Sequence, residues 1–158
     1  GLFQGRDVTY LAASPLERAQ ETAQPIAKVT GLSIDTCEDI LEAGNTFEGL
    51  RTKGWRSQLW NPKRWRYMLK PWQPSWGERY EEIFQRMDRA IEQARQKAEG
   101  HEAVLVSHQL PIVTVQRFVQ GKPFAHASRE CDLASVTSLV FEGDVVIDWS
   151  YSTPAGHI

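Results

Sequence analysis

The residues best suited to chemistry begin at Ser14-Pro15-Leu16-Glu17-Arg18-Ala19-Gln20-Glu21-Thr22-Ala23, directly after the apolar run Val8 to Ala13. Ser14 reads as a helix N-cap, Pro15 as the first helical position, and Glu17, three residues after the cap, as the closing member of a capping box. A helix starting here aims free backbone N–H groups and a positive dipole end at the edge where the preceding strand finishes. Arg18 adds a permanent planar cation one turn in. Together these suit a bound phosphate. Taken alone, the same pattern also describes a solvated helix start.

A second candidate follows Ala103-Val104-Leu105-Val106-Ser107, a run that reads as a strand buried on both faces. His108-Gln109-Leu110-Pro111 comes next, then a helix over residues 111–120 closed by Gly121. His108 is thus expected at the C-terminal end of a parallel strand, the edge where open α/β sheets bind ligands. Ser107 does not read as its catalytic partner, because neighbours on a strand point to opposite faces.

The elements that must position these residues alternate along the chain. The pattern predicts a strand over 8–13, a helix over 15–29 ended by Gly31, and strand-like alternation over 32–40 leading into Leu41-Glu42. Tyr80, Ile83, Phe84, Met87, Ala90, Ile91 and Ala94 recur at helical spacing and predict a helix over 78–98, with Ser75 and Glu78 as a second capping box. Segments 135–141 and 145–151, joined by Glu142-Gly143-Asp144, read as a closing antiparallel hairpin. The fold class expected is α/β: a single domain over 1–158, built as a three-layer sandwich. Its sheet is mostly parallel, with helices on both faces and the antiparallel hairpin at one edge.

A chain of 158 residues can bury a real core, and a net charge of −2 provides no global field for nucleic acid or membrane. Cys37 and Cys131 show no paired spacing, so ordinary thiols in a reducing compartment are expected rather than a disulfide or zinc framework. No apolar run approaches a membrane span and no signal peptide is visible, which makes the cytoplasm the default expectation. One segment is unusual. Residues 51–73 carry seven Lys and Arg residues, from Arg51 to Lys70, with no acidic residue, interleaved with Trp55, Trp60, Trp65 and Trp72. Cations alternating with indoles could serve a nucleic acid strand or simple packing. The near-neutral net charge ranks nucleic acid last.

Three stretches carry a resemblance. Ser14-Pro15-x-x-Arg18-Ala19-x-Glu21-Thr22-Ala23, Leu41-Glu42 ahead of Phe47-Glu48-Gly49, and Val104-Leu105-Val106-Ser107-His108 resemble the histidine phosphatase superfamily, the phosphoglycerate mutase-like phosphomonoesterases and mutases. They fall in family order from about Asp7 to Leu139. The resemblance implies a phosphatase acting on a small phosphorylated metabolite through a phosphohistidine. In it Arg18 is one of two phosphate-binding arginines, and His108 is the second histidine, which hydrogen-bonds the transferring phosphoryl group. Glu42 is the acid that protonates the departing oxygen. Ser14 and Gln109 join Arg18 in substrate binding, and residues 51–76 form a lid over the site. No cofactor and no metal are expected, since arginines and histidines supply the charge. The spacing from Glu42 to Glu48 is one residue shorter than the commoner pattern, which keeps Glu48 as a rival acid, and Gln109 stands where many relatives have Gly.

One departure bears on activity. The family's nucleophile is a His in an Arg-His-Gly motif at the end of its first strand, and that tripeptide is absent from these 158 residues. His101, His108, His126 and His157 are the four histidines, none in such a setting, and His101, His126 and His157 read as surface residues. Residues 1–5 resemble the end of the helix before the family's second strand. Either the first strand, phosphate loop and first helix are missing from this chain, which is then inactive as it stands, or the nucleophile is lost. In the second case the protein is a non-catalytic phospho-ligand binder. Mutase-type phosphoryl transfer is a further alternative. Lacking the family's central first strand, the chain is expected to expose unpaired sheet edges and to be poorly stable. The only partner expected is a small phosphorylated substrate, and the sequence carries no signal for oligomeric state.

Overall fold

Strand β1 (Val8–Ala13) is the axis of the sheet. Leu11, Ala12 and Ala13 are all closed to solvent although they alternate between faces, so protein covers both sides of the strand. The computed structural model describes residues 1–42, 77–122 and 132–155. Within them β2 (Asp35–Thr36) and β3 (Glu102–Val106) flank β1 in parallel, in the order β2-β1-β3. Ala13 sits opposite Thr36 on one side and Val106 on the other.

Helix α1 (Glu17–Thr30) follows β1 and buries Ala19 and Ala23. It ends as expected at Gly31, whose φ of 73° is the left-handed geometry that suits glycine and whose N–H closes on the Ala27 carbonyl. Its start differs from expectation. The first helical residue is Glu17 and the N-cap is Leu16, whose carbonyl accepts from the N–H groups of Ala19 and Gln20. The capping box on Ser14 does not form, because the Ser14 hydroxyl is turned to a partner elsewhere in the chain, described below.

The strand expected over 32–40 is also shorter. Only Asp35 and Thr36 pair with β1. Cys37 N–H still reaches the Ala13 carbonyl at 2.9 Å, and then the chain turns into a 3-10 helix at Glu38–Ile40. The Cys37 thiol is free, and burial pushes its pKa up, so it is a poor nucleophile at neutral pH. Cys131 lies outside the described residues.

Helix α2 (Gly77–Ala98) has the stripe that its spacing predicts: Ile83, Met87, Ala90, Ala94 and Ala98 are buried. Helix α3 (Gln109–Gln120) packs beside it, with Phe84 and Phe118 stacked at 3.8 Å between ring centroids. Ile40, Ile83, Met87, Ala90 and Val115 form the main core cluster, with Leu105 and Leu139 against it. Strand β3 runs five residues and all five are half-buried rather than sealed on both faces. The reason is its position: among the described residues its second edge has no strand partner.

Strands β4 (Val136–Glu142) and β5 (Val145–Ser152) make the expected hairpin, as an antiparallel sheet of their own. Arg95 of α2 pins its turn, donating to the Gly143 carbonyl while its guanidinium lies 4.1 Å from the Phe141 ring centroid. Among the described residues the result is a mixed α/β fold with a parallel three-stranded sheet, three α-helices and a hairpin. No helix among the described residues is long and apolar enough to cross a membrane. The segment 51–76 expected as a lid, with its tryptophans and cations, Glu48, the Ser75 half of the expected second capping box, His126 and His157 all lie outside the described residues.

Candidate active site

Strands β1 and β3 finish side by side, and the Ser14 N–H donates to the Val106 carbonyl at 3.0 Å across the end of the pair. Each strand then hands over to a helix start. His108 is the N-cap of α3, and its carbonyl accepts from Ile112 N–H at 3.2 Å; the helix therefore begins two residues before the expected Pro111. Two helix N-termini, those of α1 and α3, consequently open at one sheet edge. Their free N–H groups and dipoles make that edge electropositive without any side chain.

Four of the five residues singled out by sequence converge there. The His108 ring is buried, its side chain 4% exposed, and Nε2 lies 2.8 Å from the Ser14 hydroxyl oxygen. Nδ1 of the same ring lies 3.8 Å from Oε2 of Glu42, and Nη2 of Arg18 approaches that oxygen at 3.6 Å. One carboxylate thus stands between the buried imidazole and a guanidinium that is 65% exposed. Gln109, the first residue of α3, is exposed beside His108. His101 is on the surface as expected, paired with Asp7, which raises its pKa.

The hydrogen bonds assign the tautomer of His108. Leu16 N–H donates weakly, at 3.4 Å, to the Ser14 hydroxyl oxygen. That oxygen is fully buried, so its own proton is best satisfied by donation to Nε2. The ring proton then sits on Nδ1, facing Glu42 and the Arg18 side. Burial holds the imidazole pKa below its ordinary 6.5, with Arg18 adding to the drop and Glu42 opposing it. At neutral pH His108 is therefore an uncharged donor with a fixed direction.

Ser14→Ala should expose how much that arrangement depends on the hydroxyl. Nε2 would lose its buried partner, an expected cost of about 1–3 kcal/mol. Thermal melts at pH 7.5 check the cost, and ¹⁵N chemical shifts of His108 should report mixed tautomers in place of one. A variant with unchanged melting and an unchanged imidazole spectrum would contradict the assigned network.

Two residues of this region were not apparent from sequence. Arg86 of α2 is 2% exposed, a guanidinium inside the apolar stripe. Its spacing, three residues after Ile83 and one before Met87, was the available signal, since a charge at a stripe position is costly without a purpose. Ser107, set aside as a partner for His108, does point away from it, and its hydroxyl donates to the Ile40 carbonyl at 2.7 Å.

Two helix N-termini, an arginine, a buried histidine and a carboxylate thus gather at the strand ends of an α/β sheet. The comparisons narrow the class. A profile of the histidine phosphatase superfamily (branch 1) matches residues 1–148, and the chain belongs to that superfamily. Two uncharacterized proteins of Mycobacterium tuberculosis, Rv0525 from strain ATCC 25618 / H37Rv and MT0547 from strain CDC 1551 / Oshkosh, are each 45% identical over 152 residues. The match takes in 95% of this chain and 75% of each relative. Among solved structures, mycobacterial hydrolase 1 shares the fold, with a TM-score of 0.53 at 17% identity, over 93% of this chain and 76% of that one.

Proposed function

We propose that the site is the phosphate-handling part of a phosphomonoesterase that hydrolyses a small phosphorylated metabolite through a phosphohistidine. The observation that carries this reading is the meeting of Arg18, Glu42 and His108 at the ends of two parallel strands, within 3.8 Å of one carboxylate oxygen. In the proposed reaction an imidazole nitrogen attacks phosphorus in line, forming a P–N bond as the P–O bond to the alcohol breaks. Arg18 holds equatorial oxygens with its planar fork, and His108 donates Nδ1–H to another as charge develops there. Glu42 gives a proton to the departing oxygen, then accepts one from the water that splits the P–N bond. Gln109 and the N–H groups at the start of α3 are further donors for the bound phosphate, and Ser14 acts by orienting His108.

The attacking imidazole is not His108, whose Nε2 is committed to Ser14. By the resemblance it is either the histidine of an Arg-His-Gly motif, a tripeptide these 158 residues do not contain, or lost. The second case is the alternative reading, a phospho-ligand-binding relative without catalysis. Assay of the protein expressed from its own start codon separates the two. Phosphate release from p-nitrophenyl phosphate that persists in excess chelator is the expected result. Saturable binding of inorganic phosphate with no turnover would favour the binder, and turnover abolished by chelator would overturn the metal-free mechanism.

A further inference from the structure

The half-buried segment that delivers Glu42 is held by side chains from two other elements. Three consecutive carbonyls precede it, those of Asp39, Ile40 and Leu41, and each accepts a side-chain hydrogen bond. Arg86 Nη1 donates to the Asp39 carbonyl at 3.0 Å and to the Leu41 carbonyl at 3.2 Å, while Ser107 Oγ takes the Ile40 carbonyl between them at 2.7 Å. Arg89, one turn further along α2, grips the Asp39 carboxylate, with Nη2 2.8 Å from Oδ1. Ile40 is closed to solvent and its neighbours are half-buried, so these carbonyls need protein partners, and side chains from α2 and β3 supply them.

Arg86 meets this task at an energetic disadvantage. Burial pulls its pKa down to about 10, and its Nε and Nη2 make no hydrogen bond among the described residues. Placing an incompletely satisfied guanidinium in a core is destabilising, and a well-packed apolar side chain of similar volume is often as stable or more so. Stability alone therefore gives little reason for an arginine here. Its reach does: from α2 it spans two carbonyls on either side of Ile40, which no apolar side chain could hold.

We propose that Arg86 is a positioning residue for Glu42, working with Ser107 as a three-carbonyl clamp that sets the carboxylate against His108 and Arg18. Ser107 is covalently next to His108, so the clamp ties the two groups to a common frame: the peptide that carries the histidine also fixes the peptide chain that carries the carboxylate. A displacement of about 1 Å in such a frame can cost a hundredfold in rate.

The role rests on the reading of Glu42 as the proton donor, and the experiment separates the two. A proton donor matters most when the departing oxygen is strongly basic, so in the protein expressed from its own start codon kcat/KM is measured on an alkyl phosphate (β-glycerophosphate) and on p-nitrophenyl phosphate, and their ratio is the readout; no turnover on either would overturn the proton-donor reading and the positioning role with it. General protonation of a leaving group contributes about 10²–10⁴-fold, so Arg86→Met should lower the alkyl-to-aryl ratio by about tenfold or more. Simple loss of folded protein lowers both rates together and leaves the ratio alone. Ser107→Ala, a smaller change that keeps the strand and helix intact, should lower it about threefold; this variant decides the matter if Arg86→Met does not fold. Glu42→Gln is the reference. If it lowers the ratio while Arg86→Met and Ser107→Ala do not, the clamp has no positioning role. If Glu42→Gln itself leaves the ratio unchanged, the acid assignment is overturned, and the positioning role with it.

Discussion

Arg18→Ala should weaken inorganic phosphate binding and lower kcat/KM for phosphomonoesters by about 10²–10³-fold, the loss typical of removing one fixed donor to a developing oxyanion. The same change should leave the melting temperature nearly where it was. Arg18 is largely exposed and its link to Glu42 is a single 3.6 Å ion pair, which water and salt screen to a small contribution. Large functional loss with little structural loss is the signature of a group that meets its true partner only when ligand arrives. Arg18→Lys should recover only a fraction of the affinity, because an ammonium cannot present two parallel N–H groups to two phosphate oxygens. Phosphate titration by calorimetry, alongside thermal melts of all three proteins, checks each part. Phosphate affinity unchanged in Arg18→Ala would remove the basis for an anion site at this sheet edge.

His108→Asn is expected to cost turnover about 10³-fold, through loss of both the donor to the phosphoryl group and the anchored geometry that Ser14 provides. It should also change how stability depends on pH, in a direction that follows from the imidazole's lowered pKa. Below pH 6.5 the unfolded chain binds a proton at this position before the folded chain does, so falling pH favours unfolding. The contribution is complete above the unfolded value of about 6.5 and is lost as pH falls through the folded pKa. Wild-type protein should therefore lose more melting temperature between pH 7.5 and pH 5 than His108→Asn does. His101 acts oppositely, since Asp7 raises its pKa and its stabilising effect fades as pH rises, but it is present in both proteins and cancels in the comparison. Parallel pH curves for the two proteins would mean that His108 is not held neutral by its surroundings. A bound phosphate dianion should raise the His108 pKa again, so binding near pH 6 is expected to take up a proton from buffer.

The convergence of the candidate site residues was readable because such residues announce themselves locally. An arginine in the first turn after a strand, and a histidine directly after an apolar five-residue run, point to one sheet edge through backbone topology alone, and β1 and β3 do finish side by side there. Helix α2 and the β4–β5 hairpin were legible for a similar reason, since a long apolar stripe and a turn between alternating strands are properties of nearby residues. The polar partnerships across the chain were not legible. Ser14 has the side chain of an N-cap, yet its hydroxyl serves His108, 94 positions away, and the helix starts from Leu16 instead. Ser107 was rightly denied to His108, but its bond to Ile40 spans 67 positions and leaves no mark on spacing.

By itself, then, the amino-acid order determined which candidate site groups are present and which end of the sheet presents them, because capping, periodicity and strand-to-helix handover act over a few residues. Tertiary structure alone decided which polar atom satisfies which. Ser14 is drawn to an imidazole rather than to its own helix, and a buried guanidinium on α2 is spent on the carbonyls before Glu42. A side chain of several rotatable bonds can reach any neighbour that packing brings near, and in a water-poor interior it must take one, so those choices are made only when the distant segments meet.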